Sequence, residues 1–272
     1  MRLSIVIPTK NEADNITTCL GAFRARLDRH EIEAIVVDNA SGDATRELAR
    51  AGGARVVEQG PERCAQRNRG WREAQGDYVM FVDADMIVPE ETQDEILAIL
   101  SGAEPPDALY VRETRTGAGL RIKARNFERS FYNATVIDGL RVIRRERLEA
   151  VGGYDERLVA CEDWDLDRRL LAAGARTALT ARALLHNERR MTFAKHLRKK
   201  RYYAETMDLY RRKWNNDAVV RRQFSPFYRL VGVFFEHGNW KRTLRHPFLY
   251  ALVLADRIAV GLTYLFNRRS AT

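Results

Sequence analysis

What this sequence lacks narrows it before anything else does. Its 272 residues include only three cysteines, Cys19, Cys64 and Cys161, far apart and without a CxxC pair. They can build neither a disulfide framework nor a zinc knuckle, and a reducing cytosol is the expectation. No GxGxxG and no GxxxxGK[ST] occurs, so the glycine fingerprints of a dinucleotide fold and of a Walker-type phosphate loop are both missing. Any nucleotide must be held another way. Long uncharged apolar runs are absent too: in HPFLYALVLADRIAVGLTYLFNRR the pair Asp256-Arg257 separates 247–255 from 258–267, each short of the roughly 18 residues of a membrane span. A span stays open only because that pair can neutralise itself. Repeats and low-complexity tracts are not found. Met1 leads directly into the strand-like Leu3 to Ile7, stopped by Pro8; without a signal-peptide core, a cytoplasmic N-terminal domain is expected.

What is present is a globular composition, 45% hydrophobic, able to bury a substantial core. The formal charge of +9 is unevenly placed. From Arg189 to Thr272 there are 19 Lys+Arg against 5 Asp+Glu, a net +14, which leaves −5 for the first 188 residues. An acidic body with a basic tail points to a polyanionic partner, either nucleic acid or an anionic membrane surface.

Along the body, β-branched runs alternate with amphipathic windows. Strands are expected over Leu3 to Ile7, Ala34 to Val37, Arg55 to Val57 and Tyr78 to Val82, and helices over Asp14 to Arg29, Ala44 to Ala51, Glu62 to Ala74 and Glu90 to Leu100. That alternation implies an α/β fold: a mostly parallel, Rossmann-like sheet sandwiched by helices. Farther on, Ala108 to Val111 and Val136 to Ile143 read as strands and Asp163 to Ala173 as a helix. After Thr192 the pattern is helical and basic, broken at Ser225-Pro226 and His246-Pro247.

Ligands of parallel sheets gather outside the carboxyl ends of the strands, where Pro8-Thr9, Asp38-Asn39 and Asp83-Ala84-Asp85 all fall. Asp38 can accept from a base N–H, while Ser41 and Asp43 lead into a helix start or simply cap it. Asp83 and Asp85, two apart after an apolar run, are expected to leave the sheet side by side. Paired carboxylates of that kind suit a hard divalent ion with positions open for diphosphate oxygens.

Five motifs occur in order: IVIPTKNEADNI, VVDNASGDAT, QRNRG with AQGDYVMFVDADMIVPE, RRERLEAVGGYDERL and CEDWDLDRRL. Together they resemble glycosyltransferase family 2, over roughly residues 1 to 190. The resemblance implies a GT-A fold and an inverting transferase that uses a nucleotide-sugar donor with Mn2+ or Mg2+. Position by position, it implies that Pro8, Thr9, Asn11, Glu12, Asp38 and Ser41 line the nucleoside and that Arg67 faces the nucleotide or diphosphate. It places Asp83 and Ala84 at the ribose or sugar, Asp85 at the metal as part of the DxD motif, and Asp163 as catalytic base. Such a base takes the acceptor proton as oxygen attacks opposite the diphosphate. Glu162 and Trp164 fall on the acceptor side. His186 completes the metal shell, touches the diphosphate, or is a structural histidine. The implied organisation is 1–106 for the donor half, 107–190 for the acceptor and base half, and 191–272 for a helical, basic, amphipathic tail.

The tail segment KHLRKKRYYAETMDLYRRKW mixes cations and aromatics as a single-strand nucleic-acid groove or a membrane-surface helix would. The oily segment after it favours membrane over nucleic acid, with Lys199, Lys200 and Arg201 placed to meet a lipid phosphate. Arg245-His246, Asp256-Arg257 and Asn267-Arg268 recur every 11 residues and are expected to share one face of a helix lying in the interface plane. Packing on the body or into a homodimer is the competing way to bury that helix. The expected acceptor is a saccharide or lipid-linked saccharide at the inner face of the cell membrane. Nucleotidyl transfer, or a non-catalytic binding module on a degenerate fold, are the alternatives; the Glu162-Asp163 pair and the intact aspartates speak for glycosyl transfer.

Overall fold

The computed structural model describes residues 2–187 and 207–269. The first four strands are β1 (Leu3–Thr9), β2 (Ile32–Asp38), β3 (Arg55–Glu58) and β4 (Tyr78–Phe81). They pair in parallel through helices α1 (Ala13–Gly21), α2 (Arg24–Asp28), α3 (Thr45–Ala51) and α4 (Arg63–Glu73). The second half of the sheet differs in direction. β5 (Met86–Ile87), β6 (Ala108–Thr116), β7 (Val142–Arg144) and β8 (Thr177–Asn187) complete the order β3-β2-β1-β4-β7-β6-β8-β5. Here β4 and β6 run antiparallel to β7, and β5 antiparallel to β8. Helices α5 (Glu90–Leu100), α6 (Leu120–Arg129), α7 (Arg145–Val151) and α8 (Glu162–Ala172) belong to this half of the sequence.

Alternation along the strands divides the core into two layers. Ile5, Ile7, Val36 and Met80 pack with Cys19 and Leu20 of α1, Phe23 just after it, and Ile96 of α5. Val6, Ile35, Val37, Val79 and Phe81 point the other way, onto Trp71 of α4 and Leu166 and Leu170 of α8. The glycine of QRNRG has a packing role: a Cβ on Gly70 would lie 2.2 Å from Val6 Cγ1, so only glycine lets α4 approach β1 this closely.

Two expected elements differ. The helix over Asp14 to Arg29 is interrupted at Ala22-Phe23, where Phe23 turns its ring into the core. The strand over Val136 to Ile143 shrinks to Val142–Arg144, because Asp138 and Gly139 are drawn into a loop against the start of α8.

The chain divides into two compact units: 1–113 with 138–187, and 114–137 with the described residues after 187. In the second unit, 207–213 is helical. It is followed by α9 (Ala218–Phe224), whose first turn is capped by the Asp217 carboxylate accepting from Val220 N at 2.9 Å. Short turns over 228–238 then lead to α10 (Trp240–Arg245) and α11 (Pro247–Arg269). Among the described residues no helix is long and apolar enough to cross a membrane. Of the polar pairs expected to share a helix face, Arg245, His246 and Asp256 are exposed. Arg257 instead turns inward, 2.5 Å from Glu128 and over the rings of Tyr132 and Phe234, where ion pair and ring faces hold its cation. The side chains of Asn267 and Arg268 lie outside the described residues. Lys199, Lys200 and Arg201 lie outside the described residues.

Candidate active site

Two loops are stitched together at the carboxyl ends of β1 and β2. Thr9 and Asp38 stand opposite in register, and the buried Asp38 carboxylate accepts from Thr9 Oγ1 (2.9 Å), Ser41 Oγ (2.6 Å) and Ser41 N (2.7 Å). Asn11, in the left-handed region at φ 54°, donates its N–H to Ser41 Oγ and accepts from Gly42 N. Glu12 N donates to Thr45 Oγ1 at 2.8 Å. Pro8 is buried within β1. Arg46 Nε lies 4.0 Å from Asp38 Oδ2 and, though buried, has no hydrogen-bond partner. An acceptor and an unused donor therefore lie close together at this loop.

Asp83 and Asp85 do not leave a strand side by side. β4 stops at Phe81, and Met86 N donates to Asp83 O (2.9 Å), closing a turn over 83–86 around the buried Ala84. Each carboxylate then finds its own cationic or ring-nitrogen partner. Asp83 Oδ1 accepts from Arg67 Nη2 at 3.1 Å. Asp85 Oδ2 lies 3.1 Å from His186 Nε2, because β5 and β8 pair Met86 with His186. The other ring nitrogen of His186 is 3.0 Å from Glu113 Oε1, and Arg141 donates to Glu113 Oε2 at 3.0 Å. Burial opposes protonation of His186, yet the hydrogen bonds to Asp85 and Glu113 prevail and lift its pKa to about 9.

Arg67 is almost wholly buried, and its amino groups serve two carboxylates: Nη2 bonds Asp83, and Nη1 donates to Asp163 Oδ1 at 2.8 Å. Its guanidinium also lies 5.2 Å from the centre of the Tyr154 ring. Burial alone would raise the Asp83 carboxyl, but Arg67, Arg63 and Arg141 hold it well below the usual carboxylate range.

Asp163 stands in the first turn of α8, entered through Cys161 in the left-handed region at φ 62°. Its side chain is 42% exposed. A Cβ on Gly139 would come 2.9 Å from Asp163 Cβ, so the loop that replaced the expected strand clears space for this side chain. Glu162 is buried, and its carboxylate accepts from Arg63 Nη2 at 3.2 Å. Burial, then the neighbouring Asp163 charge, pushes its pKa up to about 7. Trp164 is half-buried. Glu113, Arg141, Arg63 and Gly139 lie outside the quoted motifs, and Tyr154, inside RRERLEAVGGYDERL, carries no signal of its contact with Arg67. They come from separate stretches of the chain that only the folded sheet brings together.

Once an ion displaces the Nε2 proton of His186, Asp85 and His186 would suit a divalent ion such as Mn2+: a carboxylate oxygen and an imidazole nitrogen at one place, with Glu113 fixing the ring from behind. Two protein donors leave the remaining positions to donor oxygens and water. Among the described residues no group of three or more His, Cys, Asp or Glu is arranged to hold an ion unaided.

A half-parallel, half-antiparallel sheet with carboxylates at its strand ends defines the GT-A class of nucleotide-sugar-binding folds. The family model for glycosyl transferase family 2 matches residues 4–152, and the chain belongs to that family. It is 29% identical over 207 residues to the succinoglycan biosynthesis protein ExoA of Rhizobium meliloti (strain 1021), covering 65% of this chain and 60% of that protein. It thus spans less than two thirds of that relative. Among solved structures, S. aureus TarS 1-349 in complex with UDP-GlcNAc matches with TM-score 0.61 and 20% identity over 96% of this chain and 81% of that one. The mannosyltransferase PcManGT from Pyrobaculum calidifontis, in complex with GDP-Man and Mn2+, matches with TM-score 0.59 and 21% identity, covering 99% and 80%.

Proposed function

We propose that the protein is a metal-assisted, inverting glycosyltransferase, moving a sugar from a nucleotide-sugar donor to a hydroxyl or phosphate of a saccharide or lipid-linked acceptor at the cytoplasmic face of a membrane. One observation carries the reading: a single guanidinium, Arg67, bonds Asp83 on one side and Asp163 on the other. The donor-side carboxylate and the base are thereby held in fixed relation, with Asp85 and His186 following directly along the same turn and its paired strand.

In this reading residues 1–106 hold the donor, 107–190 supply the base and acceptor side, and 191–272 associate with the membrane. Asp38 Oδ2 and Arg46 Nε offer a base edge an acceptor beside a donor. Asp85 and His186 would hold a divalent ion, which when bound would supply Lewis-acid stabilisation to the diphosphate leaving group. Asp83, kept ionised by its arginines, faces the ribose or sugar. Asp163, fixed at Oδ1 by Arg67, receives the acceptor proton at its other oxygen, Oδ2, as the acceptor oxygen attacks the anomeric carbon. In-line attack inverts that carbon. Similarity to the succinoglycan biosynthesis protein ExoA supports a saccharide acceptor.

Asp163→Asn should retain Mn2+-dependent donor binding and lose turnover by a factor on the order of 10² or more. Wild-type turnover in that variant removes Asp163 as the base.

A further inference from the structure

We infer that the second unit docks on an anionic bilayer through the outward face of α10 and α11, which is apolar where solvent-facing helices are normally polar. The inference rests on the membrane-face reading above and assigns it to particular side chains. On α11 the exposed residues Phe248, Ala251, Ala255 and Ile258 follow one another at helical spacing and form one stripe, with the exposed Asp256 at its edge. Phe248 is 62% exposed and Ile258 53%. The stripe is preceded on α10 by Trp240 and Leu244, one turn apart, at 46% and 62%. The opposite side of α11 is already used: Val253 is buried, Tyr250 donates to Leu230 O at 2.8 Å, and Arg257 pairs with Glu128.

Three occupants of this face compete, and charge separates them. A transbilayer course fails because no described helix is long and apolar enough. A second copy would bring two tails of +14 together, and that repulsion opposes association. An anionic lipid surface is attracted by the same charge. The exposed cations Lys241 and Arg245 border the apolar residues, and Lys241 Nζ lies 5.7 Å from the Trp240 ring. Aromatic and aliphatic groups flanked by lysine and arginine are what a helix lying at the headgroup boundary presents. The bilayer is therefore the occupant the surface fits.

The test is flotation of the full chain with vesicles of phosphatidylcholine alone and with phosphatidylglycerol added, alongside the variant Leu244→Asp/Phe248→Asp and the variant Lys241→Glu/Arg245→Glu. Both variants change exposed positions, and circular dichroism checks that each is folded. Wild type should float only with the anionic vesicles, and each variant should lose that binding by roughly tenfold or more. Mn2+-dependent donor binding, measured without lipid, should stay as in wild type, so failure of docking and failure of the glycosyl-transfer reading give different results. Equal flotation of wild type and folded variants overturns the assignment. So does a wild-type dimer in light scattering that the Leu244→Asp/Phe248→Asp variant abolishes, since a second copy would then cover the face.

Discussion

Arg67 leads the electrostatics of the site, since its charge, with those of Arg63 and Arg141, keeps the half-buried Asp83 ionised. A buried guanidinium with two carboxylate partners is costly to disturb from either end. The second arrangement at this scale is Glu113, which faces His186 Nδ1 and is itself held by Arg141. Such outer partners orient a ligating imidazole and raise its basicity. Glu113→Gln should weaken Mn2+ binding by about 10- to 100-fold, read by electron paramagnetic resonance of the free ion; unchanged affinity would detach Glu113 from the metal. Asp167 offers a pH signature away from the metal. Its carboxylate receives the Tyr110 hydroxyl at 2.8 Å, and burial, with Asp138 nearby, pushes its pKa up to about 7. A carboxyl that binds its proton more tightly when folded stabilises the fold below its unfolded pKa, and that contribution is lost as pH rises through about 7. Asp167→Asn should flatten this loss, which at its steepest is about 1.4 kcal/mol per pH unit. Denaturant melts between pH 4 and pH 8 measure it, and parallel pH profiles for the two proteins would contradict it. The sequence showed the paired aspartates and the Glu162-Asp163 carboxylates but not their orientation. A turn after β4 replaced strand geometry at Asp83 and Asp85, and Arg67 and Asp163 are 96 residues apart, a distance no motif spacing spans.

Elements built from local signals were legible, and elements built from distant pairing were not. β1 to β4 and the helices between them follow directly from β-branched runs and helical windows, because each parallel crossover buries a self-evident apolar run. β5 is two residues long and exists only because β8 lies against it. β8 itself, TALTARALLHN, alternates too weakly to stand out. The reversal of direction at β7 likewise leaves no periodic trace. The tight fit of α4 on β1 yields the prediction that belongs at this scale. Gly70→Ala places a methyl group against the stiff side chain of Val6, with an expected cost of about 1–3 kcal/mol. Because α4 carries Arg67, donor binding should weaken along with the melting temperature. A variant as stable as wild type would show that the helix can retreat without cost.

For the whole molecule, an acidic body and a basic tail divide the work: carboxylates gather at one rim of the sheet, and cations gather after residue 188. The imbalance was readable from composition, whereas the inward turn of Arg257 and the outward apolar face were not, since both depend on which side of α11 finds Glu128 and Phe234. We propose that Asp85 and His186 would hold a divalent ion against the donor diphosphate. Calorimetric titration of UDP- and GDP-sugars into wild type and Asp85→Ala, each with Mn2+ and with chelator, tests this. We expect a donor that binds wild type only when Mn2+ is present and does not bind folded Asp85→Ala under either condition. Equal, metal-independent binding to both proteins would contradict it.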